Sequence, residues 1–206
     1  MPKDTFLKLS KEKQEKVINS AKEEFTRVPL QEVSIKNIVE NAGIARGSFY
    51  QYFESKEDLL KYILKEKIDK INQKLQNQIR ENNLDLFEGY IYLYNLMIET
   101  FVDNKDRKFF KQIFENLKTS DENIFNLLKC AKPHNIIEYY EILDKSNLRI
   151  RNKEDFEAIC NMLNIITKRA IIKNFKYNLR EENKKEFLIQ IEYLKYGIIK
   201  KEEKND

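Results

Sequence analysis

Chain-breaking residues are almost absent from this sequence, and their positions limit what it can become. Four glycines, at 43, 47, 89 and 197, and three prolines, at 2, 29 and 133, are spread over 206 residues. Globular chains carry roughly 7% Gly and 5% Pro, so tight connections here must be few and the elements long. No glycine or proline falls between Gly47 and Gly89, or between Pro133 and Gly197. Lys, Glu, Asn, Ile and Leu fill those intervals, with little Val or Thr, which favours helix over strand. The chain reads as all-α.

Caps and apolar spacing place the helices. Ser10 precedes a run in which Val17, Ile18, Ala21 and Phe25 recur at helical spacing, ending near Val28-Pro29. Ser34 caps a short segment carrying Ile35, Ile38, Val39 and Ala42, and Gly43 closes it where a left-handed residue is wanted. A third short segment covers Ala45 to Tyr52. Ser55, with Asp58 three residues on, then opens a long helix to about Arg80. Beyond Asn82-Asn83 aromatics multiply. Further helices are expected over Leu84–Val102, Asp106–Leu117, Asp121 to an interruption at Pro133, Lys153–Tyr177 behind Asn152, and Glu182–Lys201. The organisation expected is a three-helix head over residues 1–55 and a larger helical domain over 56–206, with the long fourth helix leading between them.

Composition excludes more than it selects. Lys plus Arg number 38 against 34 Asp plus Glu, giving a net charge of +4 and a pI near 8.8. That balance permits nucleic acid without demanding it. Mean hydropathy is −0.68, and no apolar run nears the ~18 residues of a membrane span. Met1-Pro2-Lys3-Asp4-Thr5 has no apolar secretory stretch, so the expected location is cytoplasmic. Cys130 and Cys160 are too few for a disulfide framework and read as buried apolar residues rather than redox sensors. His134, the single histidine, sits beside Pro133 and reads as a loop residue. With one His, no HExxH, no Gly-rich phosphate loop and no Ser–His or Cys–His pattern, neither enzyme, metal nor cofactor is expected.

Two short helices meeting at a glycine suit a helix-turn-helix, whose second helix enters the DNA major groove. Many helical proteins share that outline, so the content of the third segment matters more. Phe49 and Phe53, four apart, can pack inward, which leaves Arg46, Ser48, Tyr50, Gln51 and Tyr52 to point elsewhere. These groups donate to base edges and phosphates, and Gly47 lets backbone come close to a duplex. A helical tyrosine in an arbitrary protein is more often packing, and Ser34 and Ser55 would cap helices with or without DNA.

The stretch from about Lys16 to Leu60 closely resembles the TetR family of bacterial transcriptional regulators. The resemblance is carried by Ile18-x-x-Ala21-x-x-x-Phe25, then Ser34-Ile35-x-x-Ile38, then Ala42-Gly43-Ile44-x-x-Gly47-Ser48-Phe49-Tyr50-x-Tyr52-Phe53-x-x-Lys56-x-x-Leu59-Leu60. It implies that Ser34, Ile35 and Lys36 meet a DNA backbone and that Arg46, Gly47, Ser48 and Gln51 face bases. It further implies that Tyr50, Tyr52 and Lys56 reach phosphates. Arg46 is the strongest base-reading candidate, because Arg pairs bidentately with guanine. Residues 1–60 hold 10 basic and 10 acidic side chains. Affinity must then come from local placement, with Lys36, Arg46 and Lys56 on one face and acids such as Glu23 and Glu24 turned away, and salt dependence per subunit should be modest.

The last two helices carry apolar residues on two faces. In one, Phe156, Ile159, Leu163, Ile166 and Ala170 form a stripe, while Met162, Ile165 and Ile172 form another. In the other, Phe187, Ile191, Leu194 and Ile198 oppose Ile189, Tyr193 and Tyr196. Either both helices are buried in a larger monomer, or the second face has a partner. The resemblance favours a homodimer built on a four-helix bundle, with two recognition helices on a palindromic operator. The middle aromatics are core, or they line a pocket for a small apolar or aromatic effector; Tyr90, Tyr94, Phe101, Phe110, Phe114 and Tyr139, with Ile166 and Arg169, are the pocket candidates. The function implied is a ligand-responsive DNA-binding regulator, a repressor released when an effector moves the recognition helices apart. The alternative is a protein of the same fold without a small-molecule inducer, controlled by a partner or acting architecturally.

Overall fold

The computed structural model describes residues 2–102, 106–115, 141–143, 148–177 and 179–197. Every regular element among the described residues is a helix. In chain order these are α1 (Asp4–Leu7), α2 (Lys11–Arg27), a 3-10 turn (Leu30–Glu32), α3 (Ile35–Ala42), α4 (Arg46–Tyr52) and α5 (Lys56–Asn82). α6 (Leu86–Met97) then runs into a π-helical stretch (Ile98–Val102), followed by α7 (Arg107–Glu115), α8 (Lys153–Lys176) and α9 (Arg180–Tyr196). Cys130, His134 and Tyr139 lie outside the described residues, as does the helix expected from Asp121 to Pro133.

Local chemistry explains most boundaries. The hydroxyls of Ser10, Ser34 and Ser55 accept from the backbone N–H three residues on, at Lys13, Asn37 and Asp58. Each such cap stabilises its helix by about 1 kcal/mol. Asn152 does the same for α8, accepting from Asp155 N–H at 2.9 Å. α6 starts at a reciprocal capping box that the sequence reading did not use: Asp85 accepts from Glu88 N–H at 2.8 Å, and Glu88 accepts from Asp85 N–H at 2.9 Å. α9 opens at Arg180, two residues earlier than expected, with no side-chain cap at Leu179. α1 was not anticipated, because four residues around one apolar side chain leave no periodicity to detect.

The described residues group into two compact units, those within Met1–Gln73 and Glu99–Asn135, and those within Lys74–Ile98 and Ile136–Asp206. In the first, α2 packs on α3 and α7, while α4 packs on α1 and α3. Its core joins Phe6, Phe25, Phe49 and Phe53, all fully buried, to an aromatic cluster contributed by the π-helical stretch and α7. There Phe110 stands 4.8 Å from Phe101 and 5.0 Å from Phe109, and Phe114 is 5.4 Å from Phe101. Lys22 on α2 reaches Asp106 at 2.6 Å beside this cluster. In the second unit α6, α8 and α9 pack on one another. Tyr94 stacks on Phe187 at 4.5 Å and its hydroxyl accepts from Asn174 at 3.0 Å.

Phe110 is fully buried between the rings of Phe101 and Phe109. Phe110→Ala is expected to lower stability by about 3–5 kcal/mol through lost burial and the cavity left behind, read as a shift in the urea unfolding midpoint.

Candidate nucleic-acid interface

The geometry of the head follows from its short connections. Gly43 ends α3 at φ 66°, ψ 38°, a region that a side-chain-bearing residue enters at a cost of roughly 1 kcal/mol or more. Its N–H bonds Glu40 O at 3.1 Å and that of Ile44 bonds Val39 O at 3.0 Å, which closes α3 and turns the chain into α4 within three residues. Phe49 and Phe53, both fully buried and 6.0 Å apart, lock α4 to the head. Its opposite face is left to solvent.

That face carries Arg46, Gly47, Tyr50 and Gln51, all exposed, with Ser48 and Tyr52 half-buried. Tyr50 stands edge-on to Phe49 at 5.4 Å, which holds its ring while 46% of the residue stays accessible. A Cβ added at Gly47 would meet nothing within 4 Å, so space inside the protein does not demand a glycine there. Cation, amide, hydroxyl and bare backbone thus share one short rod, a set suited to base edges and phosphates.

The start of α3 supplies a second group. Ser34 and Ile35 are half-buried and Lys36 is exposed. Lys36 lies 3.8 Å from Glu40, an open pair that adds little stability and leaves the ammonium accessible. Lys56 sits otherwise than a simple phosphate contact would: its ammonium donates to Gln31 O at 2.8 Å and Val33 O at 3.2 Å, tying the 3-10 turn to the start of α5. An ammonium has three donors, so one remains for a phosphate.

Glu24, expected to turn away from the face that gathers Lys36, Arg46 and Lys56, is only 3% exposed and is turned into the head. Its carboxylate accepts from Arg27 Nε at 2.8 Å and Nη2 at 2.7 Å, from Ser34 N–H at 3.0 Å and from Asn37 Nδ2 at 3.2 Å. The Arg27 hydrogen bonds, aided by Ser34 and Asn37 against the opposing effect of burial, hold the Glu24 carboxyl down at about 2. The signal was present: Glu24 is seven residues after Val17 and three after Ala21, on the buried stripe of α2.

The remaining candidates divide between the units. Phe101, Phe110 and Phe114 belong to the first, inside the aromatic cluster already described. Tyr90, Tyr94, Ile166 and Arg169 belong to the second. Tyr90 donates to Asn164 Oδ1 at 2.9 Å and to Cys160 O at 3.2 Å, Tyr94 is buried, Ile166 is half-buried and Arg169 is exposed. Burial pushes the Cys160 thiol up to about 11, which keeps it neutral and unreactive. A surface cleft lined by Leu148, Arg149, Ile150, Arg151, Asp155, Ala158 and Ile159 includes none of the pocket candidates. On α8, Met162 and Ile165 are 45% and 67% exposed and Ile172 is half-buried; on α9, Ile189, Tyr193 and Tyr196 are 40%, 56% and 71% exposed. Among the described residues, no helix is long and apolar enough to cross a membrane, and no group of three or more His, Cys, Asp or Glu is placed to hold a metal ion.

Comparison with known proteins agrees with this geometry. Residues 17–63 match the family model described as bacterial regulatory proteins, tetR family, and residues 85–198 match that of the tetracyclin repressor-like C-terminal domain. A fatty acid metabolism regulator protein of Bacillus subtilis (strain 168) is 29% identical over 75 residues, which covers 36% of this chain and 39% of that protein. The chain thus matches well under half the length of this curated relative. Among solved structures, a TetR-family regulator from Syntrophomonas wolfei is similar with a TM-score of 0.67 at 21% identity, over 92% of this chain and 97% of that one. FadR from Bacillus subtilis in complex with stearoyl-CoA gives 0.64 at 18% identity, over 90% and 99%. FadR from Thermus thermophilus in complex with lauroyl-CoA gives 0.63 at 18% identity, over 93% and 98%. At these identities the structural likenesses are likenesses of fold.

Two outcomes follow from the site. The Glu24 carboxyl lies below its ordinary 4.5, so its stabilisation is complete above that pH and is lost as pH falls toward about 2. Glu24→Gln should therefore cost on the order of 3 kcal/mol at neutral pH, with the difference from wild type narrowing across that acid window in urea titrations. Gly47→Ala should leave stability equal or raised by up to about 1 kcal/mol. If backbone meets DNA there, the same variant binds operator at least about 10-fold more weakly; full binding by a stable variant removes Gly47 from the interface.

Proposed function

The chain belongs to the TetR family of bacterial regulatory proteins, and from that premise we propose a repressor that grips a pseudo-palindromic operator as a homodimer and lets go when a small-molecule effector binds. The observation that carries the DNA-reading role is α4 itself. Phe49 and Phe53 are fully buried beneath it while Arg46, Gly47, Tyr50 and Gln51 stand open to solvent. In this reading Arg46, Gly47, Ser48 and Gln51 face bases, Tyr50 and Tyr52 reach phosphates, and Ser34, Ile35, Lys36 and Lys56 line the backbone on either side.

Dimerisation is supported by the second apolar faces of α8 and α9. Met162, Ile165, Ile189, Tyr193 and Tyr196 are at least 40% exposed on helices whose other faces are already packed. Pairing these faces across a two-fold axis buries them and yields two recognition helices of opposite sense, matching a palindrome.

Relatives solved with stearoyl-CoA and lauroyl-CoA support a fatty acyl thioester as the effector class. Its apolar tail suits the aromatic and aliphatic side chains of the second unit, with Tyr90, Tyr94 and Ile166 as lining candidates and Arg169 as a cation for an anionic head. Release is a population shift: the effector favours a state in which the two recognition helices no longer match the operator spacing. α5, one continuous helix over Lys56–Asn82, is the element through which the proposed shift travels.

Selection of binding sites from random duplex DNA tests the whole reading. A palindrome is expected, with Arg46→Ala losing about 1–3 kcal/mol at one base position per half-site. Ile165→Asp should yield monomers that lose operator binding, and long-chain acyl-CoA should weaken binding where free CoA does not. A monomeric wild type, or one without sequence preference, overturns the reading. Indifference to every acyl-CoA leaves the form without a small-molecule inducer.

A further inference from the structure

α4 cannot sustain itself. It spans seven residues, includes Gly47, Ser48 and three aromatics, and begins at Ala45 with no side-chain cap. Isolated helices of this length are far below the ~12 residues needed for marginal stability in water, and the last four carbonyls of any helix lack partners within it. Here those are the carbonyls of residues 49–52. Phe49 O is met by Phe53 N–H at 2.8 Å, as the chain leaves the helix. Each of the other three is met from a distant segment. Lys3 Nζ donates to Tyr50 O at 2.9 Å, Thr5 Oγ1 donates to Gln51 O, and Lys3 N–H donates to Tyr52 O at 2.8 Å.

The donors are themselves anchored. Phe6, fully buried, sits 4.7 Å from Phe53, 5.4 Å from Tyr62 and 5.8 Å from Tyr52. Phe6 N–H returns to Lys3 O at 2.9 Å, so the ring that docks the segment also fixes the residue that caps α4. The Lys3 ammonium lies at the carbonyl end of α4, where the helix dipole favours a cation. Seven residues at 1.5 Å each place that end about 10 Å along the axis from Arg46.

We propose that Lys3 and Thr5 are positioning residues for DNA recognition: by capping Tyr50, Gln51 and Tyr52 they keep the last turn of α4 helical before any duplex arrives. This rests on the reading of α4 as the DNA reader. Without the clip, the turn bearing those three side chains frays, and ordering it on the operator opposes binding. Selectivity suffers most, since base contacts demand a fixed rod while charge attraction does not.

The test compares wild type with Lys3→Met/Thr5→Val, which keeps Phe6 and approximates the original side-chain bulk. Amide hydrogen exchange over residues 46–53 should quicken at least about 10-fold while α8 stays protected. Operator affinity should fall about 10- to 100-fold, random-duplex affinity by less than about 3-fold, and the slope of log affinity on log salt should not change. Lys3→Arg/Thr5→Ser, which keeps both donors, should restore binding. Unchanged exchange and affinity overturn the clip. So does a slope lowered by about 0.9 per lysine removed, which would make Lys3 a direct phosphate contact. Loss of protection in α8 as well would reduce the segment to a general structural role and overturn it too. A wild type without operator preference instead overturns the DNA-reading assignment, and that is known before any variant is made.

Discussion

The carboxylate of Glu24 carries the geometry of the head. Taken out of water, an unpaired carboxylate would cost several kcal/mol. Here Arg27 grips it in two places and Ser34 N–H and Asn37 Nδ2 meet it from the start of α3. The negative charge thus lies where the unpaired N–H groups of α3 favour it. One side chain of α2 thereby decides where α3 begins and how it leans. Gly43 then hands that direction to α4 within three residues, so the presentation of Arg46 and its neighbours traces back to a carboxylate buried inside the head.

The second unit is built on a different balance. Its inner faces are closed by large apolar side chains and a few polar ties, Tyr94 with Asn174, Tyr90 with Asn164, and Lys195 with Asp85 at 2.6 Å. That last pair fastens α9 to the capping box that starts α6, so a helix start and a helix contact depend on the same aspartate. The outer faces of α8 and α9 remain apolar and open, a state that a soluble chain tolerates at isolated positions but rarely along two adjacent helices.

Legibility varied with the range of the interaction. Ser10, Ser34 and Asn152 were readable as helix starts because their partners lie three residues away. Phe49 and Phe53 were readable as inward because helical spacing alone puts them on one side. Glu24 was expected only to turn away from the cationic face; its spacing from Val17 puts it on the buried stripe of α2, but its partners Ser34 and Asn37 lie ten and thirteen residues on, beyond the reach of local pattern. Lys56 looked like an open cation at a helix start, and nothing nearby in sequence announces that Gln31 and Val33 carbonyls will lie beneath it. α1 offered one buried ring in four residues, too little for a periodic signal.

The sequence by itself determined the class of fold, the ends of most helices and the side on which α4 hides its phenylalanines. Each of those depends on bonds and spacings that close within one or two turns. Tertiary structure alone decided the partners of polar groups far apart along the chain. Lys22 finds Asp106 across 84 residues, Lys3 finds Tyr50 across 47, and Lys195 finds Asp85 across 110. Charge and hydrogen-bonding capacity name what each of these groups needs, but only packing brings one particular partner within 3 Å.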